Sequence, residues 1–167
     1  MKKSIFIIML TAFAIGAKAQ TKDSVKLYNP AADARAEINE AVKKAAKEHK
    51  NALLQIGGNW CKWCIIFNDL VTTDLDLNKY MTDNYVVLHV NWSPENKNEA
   101  VMASLGYPQR FGYPVFVVLD DKGNRLNTIS PLYVEDDKGF SKAKVMYFFK
   151  KWSPMAVDPK TYAVDTN

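Results

Sequence analysis

Two residues stand out for the chemistry they could do. Cys61 and Cys64 are the chain's two cysteines, and they lie three positions apart. A bridge between them closes a very small loop, and the chain entropy removed by a link grows with loop length, so this one stabilises little. Exported proteins use cysteines mainly as a framework of several bridges; no such framework exists here. A disulfide that contributes little to stability suggests redox chemistry. The reactive form is the thiolate, which is favoured where a helix begins, because unpaired N–H groups there carry partial positive charge. The expected order is attack by Cys61 on a substrate disulfide, a mixed disulfide, and displacement by Cys64. Run backwards, the same steps oxidise a substrate dithiol. Cys61 is expected to be exposed, with Cys64 one turn on and deeper. Lys62, between them, adds a positive charge that favours the Cys61 thiolate if it is not simply solvated. Trp60 and Trp63 offer an apolar rim for an extended partner, or packing around the helix start.

The flanking sequence supplies the elements such a pair needs. Ala52–Ile56 (ALLQI) has the length and apolarity of a strand, and Gly57-Gly58-Asn59 breaks it. Ile65, Ile66, Phe67, Leu70 and Val71 suit a helix beginning near Cys61, with Asp74 to Tyr80 as a second, broken helical piece. Upstream, residues 31–49 place Ala34, Ile38, Ala41, Val42 and Ala45 on one helical face. Downstream, Tyr85–Trp92 reads as a strand. Ser93-Pro94 reads as the cap and first turn of a helix over 95–105. Val115–Leu119 reads as a buried strand joined by a turn at 120–124 to a partner over Arg125–Ile129. A loop over 131–139 and a helix over Ser141–Trp152 follow, and an irregular tail starts at Ser153. Alternation of this kind predicts an α/β fold with a mixed central sheet of four to five strands and helices on both faces.

With these elements in place, two segments resemble the thioredoxin superfamily. Gly58-Asn59-Trp60-Cys61-Lys62-Trp63-Cys64 looks like its Trp-Cys-x-x-Cys active site, and is especially similar to the branch written Trp-Cys-x-Trp-Cys. Phe111-Gly112-Tyr113-Pro114 followed by Val115–Asp120 resembles the proline that opens a core strand in that family. The resemblance covers residues 31–152. It implies a thioredoxin-like fold and a thiol–disulfide oxidoreductase whose catalytic residues are Cys61 and Cys64. It also implies a cis Pro114 beside the dithiol and a substrate chain docking near Tyr113. Implied partners are proteins bearing thiols or disulfides, and a second redox protein that recharges the pair. The reaction calls for no cofactor.

One position departs from the family pattern. Many members carry a buried acid six residues before the first cysteine, where it helps move the proton of the second; here Gln55 occupies it, and an amide cannot take up a proton. His89, on the next strand, is the nearest histidine to consider, and a plain strand position is its simpler reading. Gln55 therefore supports an alternative, a thioredoxin-fold binding module with a static Cys61–Cys64 disulfide. Metal binding has little behind it: structural zinc needs four ligands, and His49 and His89 stand at no finger-like spacing. Copper delivery by two thiolates is harder to set aside. The sequence has no Gly-rich phosphate loop, and two scattered histidines build no Ser/His/Asp set.

Length and composition agree with one folded domain: 167 residues, 48% hydrophobic and 24% charged. Lys2 and Lys3, the apolar run Ile5–Ile15 and Ala17-Lys18-Ala19 form the three parts of a bacterial signal peptide, expected to be cut after Ala19. The apolar run falls short of the roughly 20 residues that span a bilayer, and no cysteine follows the cut, which argues against a lipoprotein. The expected product is periplasmic or extracellular. It comprises an N-terminal linker over 20–30, the domain over 31–152 and a C-terminal tail over 153–167. Residues 1–19 hold three lysines and no acid, so 22 basic against 18 acidic residues become 19 against 18. A net charge of +1 with no basic stripe gives a nucleic-acid role no support.

Overall fold

Ala34, Ala41 and Ala45 recur at helical spacing, and in the computed structural model all three are buried on one side of helix α1 (Ala34–Glu48). The structure describes residues 26–137 and 139–163. Asp33 caps α1, its carboxylate accepting from the N–H groups of Arg35 and Ala36. Strand β1 (Asn51–Gly57) follows and is buried along its whole length. Helix α2 (Lys62–Thr73) comes next. Asp74 ends it and at once caps α3 (Leu75–Asn84) through the N–H groups of Asp76 and Leu77. The expected break in this helical stretch therefore has a side-chain cause.

Strands β2 (Tyr85–Asn91), β3 (Val115–Leu119) and β4 (Arg125–Ile129) complete a four-stranded mixed sheet in the order β2-β1-β3-β4. β1 runs parallel to β2 and antiparallel to β3. Strand alternation divides the core in two. Ala52, Leu54, Ile56, Val115 and Val117 face α1 and the short helix α4 (Glu99–Ser104). Leu53, Phe116 and Val118 face α2, α3 and α5 (Lys142–Lys151). Each large apolar side chain so buried contributes about 1.5–3 kcal/mol, and Phe67, Phe116, Phe148 and Phe149 form an aromatic chain on the second face. The mixed sheet with helices on both faces is as expected.

Three local expectations were not met. The helix expected from residue 95 begins at Glu99, because Ser93 does not act as its cap. Ser93 and Asn96 exchange both backbone hydrogen bonds, the Ser93 hydroxyl accepts from Asn91 Nδ2, and Asn98 turns left-handed at φ 49°. The loop expected over 131–139 contains a two-strand ribbon, β5 (Glu135–Asp136) with β6 (Gly139–Phe140). After Ser153 the chain forms two helical turns, α6 (Pro154–Val157) and a 3₁₀ turn over Pro159–Tyr162, capped by Ser153 and Asp158. The expected signal segment lies outside the described residues. Among the described residues no helix is long and apolar enough to cross a membrane.

Candidate active site

The loop between β1 and α2 brings the two cysteines together as a disulfide, with S–S 2.07 Å and Cα atoms 5.3 Å apart. Cys61 is the N-cap of α2. Its extended backbone lets Sγ turn back over the helix and accept from Cys64 N–H at 3.1 Å. A sulfur placed there faces the positive end of the helix, so ionisation of the reduced Cys61 is favoured. Cys64 is fully buried, as the one-turn offset requires. Cys61 corrects the expectation of an exposed nucleophile: it is 4% exposed. As cap it folds inward, into a small cluster with Cys64, Tyr28 and Tyr113.

The Tyr113–Pro114 bond is cis, and Pro114 leads directly into β3. Tyr113 packs beside the cysteine cluster and against the rings of Trp60 and Trp92, each at 5.2 Å between centroids. Trp60 donates from Nε1 to the Trp92 carbonyl at 2.9 Å, which fixes its ring while half its surface stays open. Trp63 stands edge-on to Phe140 of β6 and is also about half exposed. Lys62 projects to solvent. The structure thus gathers Cys61, Cys64, Trp60, Tyr113 and Pro114 around one loop, with Trp63 on the flank nearer β6.

On the inner side, Gln55 is 2% exposed. Its Nε2 donates to the Cys64 carbonyl at 3.0 Å and to the Tyr28 hydroxyl at 2.9 Å. His89 lies opposite Gln55 in the β1–β2 register and meets the Tyr28 ring edge-on at 5.6 Å. Burial drives the His89 imidazole down to about 4, so it is neutral in ordinary buffers. Burial also pushes the Tyr28 phenol well above its usual range, and it stays protonated. The polar groups behind Cys64 are therefore uncharged at neutral pH.

The match to the thioredoxin-like family model runs over residues 33–121, more than half of the chain. The chain belongs to the thioredoxin-like family. Among solved structures it is similar to a disulphide isomerase from Xylella fastidiosa Temecula1, at 23% identity and TM-score 0.65, covering 74% of this chain and 94% of that one. It is also similar to the oxidised C-terminal domain of DsbD from Neisseria meningitidis, at 20% identity and TM-score 0.50, covering 71% and 95%. At such identities both likenesses speak for the fold. No curated protein matches the sequence significantly.

Sequence reasoning missed two residues of this thioredoxin-like site. Asn59 and Tyr28 clasp each other: Tyr28 N–H donates to Asn59 Oδ1 at 2.9 Å and Asn59 Nδ2 donates to the Tyr28 carbonyl at 2.8 Å. Asn59 looked like a turn residue. Tyr28 lay in the expected linker, where one aromatic among polar residues has no periodicity to mark it as core.

Proposed function

We propose that this chain is an exported thiol–disulfide oxidoreductase of the Trp-Cys-x-Trp-Cys kind, acting on proteins outside the cytoplasm after removal of residues 1–19. The observation that carries the reading is the Cys61–Cys64 disulfide held at the start of α2 beside the cis Tyr113–Pro114 segment. Reduced Cys61, as thiolate, attacks one sulfur of a substrate disulfide. A bond forms between Cys61 and that sulfur, and the other substrate sulfur leaves as a thiolate. Cys64 then attacks Cys61, the intramolecular bond forms, and the first substrate sulfur departs with the electron pair. A second redox protein returns the pair to the dithiol. Trp60, Trp63, Lys62 and Tyr113 border the approach, and the backbone ahead of Pro114 offers a short length of main chain to an extended partner.

The test is to express Cys64→Ala in cells and look for mixed disulfides, which should join partner proteins to Cys61. Recovery of none, with Cys61 inert to alkylation at pH 7 in reduced protein, would sink the reading. The burial of Cys61 favours one alternative, a binding module whose bridge never opens. A reduction potential below about −300 mV with no exchange toward insulin marks that case.

A further inference from the structure

Tyr28 lies outside the stretch that matches the family model, which begins at residue 33. Yet it is 2% exposed and stands against the dithiol. We propose that the Tyr28 hydroxyl is the hydrogen-bond donor that stabilises the Cys64 thiolate when a mixed disulfide is resolved, in the place where relatives use a buried acid. The proposal rests on reading Cys61 and Cys64 as an exchanging pair.

Position comes first. The double clasp to Asn59 fixes the Tyr28 backbone to the catalytic loop. Its Oη accepts from Gln55 Nε2, which uses a lone pair and leaves the O–H proton to point elsewhere. What it points toward is indicated by Gly57. A Cβ at that position would collide with Cys64 Sγ and lie 2.9 Å from Tyr28 Oη. Phenol and sulfur thus crowd one small space, and glycine keeps it clear.

Chemistry supplies the need. In the disulfide Cys64 Sγ is uncharged and requires no donor. Once the bridge has opened, Cys64 must ionise while buried, and a buried anion without a donor is costly. The groups around it are Cys61, the Tyr28 phenol from the N-terminal segment, the Gln55 amide from β1, Tyr113 from the segment ahead of β3 with its ring against Trp60 and Trp92, and, behind the Tyr28 ring, His89 from β2. Both Gln55 Nε2 hydrogens are engaged, on Tyr28 and on the Cys64 carbonyl. Of the two phenols, it is the Tyr28 hydroxyl that shares the space at Gly57 with Cys64 Sγ, which leaves Tyr28 as the donor. During resolution the Cys64 proton passes to water and the Cys64 sulfur attacks Cys61. The Cys61–substrate bond breaks and its electron pair leaves on the substrate sulfur. Tyr28 donates a hydrogen bond and keeps its own proton throughout.

The decisive measurement requires no turnover. In Cys61→Ser, serine still caps α2 and Cys64 remains as a lone thiol whose alkylation rate against pH gives its pKa. Adding Tyr28→Phe should raise that pKa by about one unit, while Gln55→Met, which keeps the phenol, should move it less. In the chain with both cysteines, resolution of a Cys61–glutathione mixed disulfide at pH 7 should slow about threefold. The thiolate fraction falls about tenfold, and the higher nucleophilicity of a more basic thiol restores part of the loss. An unmoved Cys64 pKa in folded Tyr28→Phe overturns the proposal. Should that variant fail to fold, 3,5-difluorotyrosine at position 28 makes the phenol a stronger donor at nearly the same size; it must then lower the Cys64 pKa, and no change overturns the proposal. If Cys64 shifts as stated but the unmodified protein exchanges with no disulfide, the exchange reading fails and the donor role of Tyr28 stands.

Discussion

The two sides of the Cys61–Cys64 bridge are built differently. Outside, Trp60 and Trp63 are 52% and 47% exposed, and Trp60 joins Trp92 and Tyr113 in a set of edge-on and tilted rings. Inside, Gln55 and Tyr28 are each 2% exposed and hydrogen-bond to one another, with a neutral His89 behind them. The outer side has apolar area left to give to a partner. On the inner side Gln55 and Tyr28 are paired and have almost no surface left, and His89 is part-buried. The difference teaches that the sulfurs have separate surroundings: the start of α2 and the aromatic rim at Cys61, and a neutral, largely buried polar set behind Cys64.

Five changes test that division, beginning with the largest. Cys61→Ser should abolish exchange with a dithiol or disulfide substrate, seen as loss of insulin reduction, while stability falls by no more than about 2 kcal/mol because the bridge closes so small a loop. A loss of several kcal/mol would show that the bridge is structural. Next, Gly57→Ala strikes the inner side alone. Its Cβ has no room beside Cys64 Sγ and the Tyr28 hydroxyl, so unfolding in urea should show a destabilisation of about 3 kcal/mol, at the upper end for overpacking. Wild-type stability would mean that the inner side is loose.

Third comes pH. The folded His89 imidazole is driven down to about 4 by burial, against about 6.5 in an unfolded chain. Between those values the unfolded chain binds more protons. Stability is therefore full above about pH 6.5 and declines as pH falls toward 4, by about 1–3 kcal/mol. His89→Gln should flatten this decline in urea titrations at several pH values. An unchanged slope removes His89 from the buried set. The smallest effects belong outside. Trp60→Ala should raise KM for a protein substrate about three- to tenfold and leave the Cys64 pKa unmoved. Lys62→Ala should change the rate less than about threefold, since its charge is solvated. A Cys64 shift in Trp60→Ala would merge the two sides into one.

Much of this arrangement could be read from residue types and spacing. The alanine face of α1, the apolar run of β1, the Cys-x-x-Cys between a glycine break and a helical pattern, and the Tyr-Pro ahead of Val115 each carry a local signature. What could not be read depends on distant partners. Ser93 has the chemistry of a helix cap, but Asn91 and Asn96 hold it in a turn. Cys61 occupies an exposed-looking first turn, but capping folds its sulfur inward. Tyr28 reaches its place through Asn59, 31 positions away. No periodicity announces a contact of that range, nor the two-residue strands of the β5–β6 ribbon.

The clasp between Tyr28 and Asn59 also makes the site divisible. Tyr28, one part of the inner side of the dithiol, sits on a strap that two amide hydrogen bonds fasten to the loop between β1 and α2. Cleaving the polypeptide between Pro30 and Asp33 would leave both cysteines, Gln55, His89 and every described strand on one fragment, and cut the covalent link to Tyr28. A chain trimmed past Tyr28 would keep its dithiol backed by Gln55 and His89 alone.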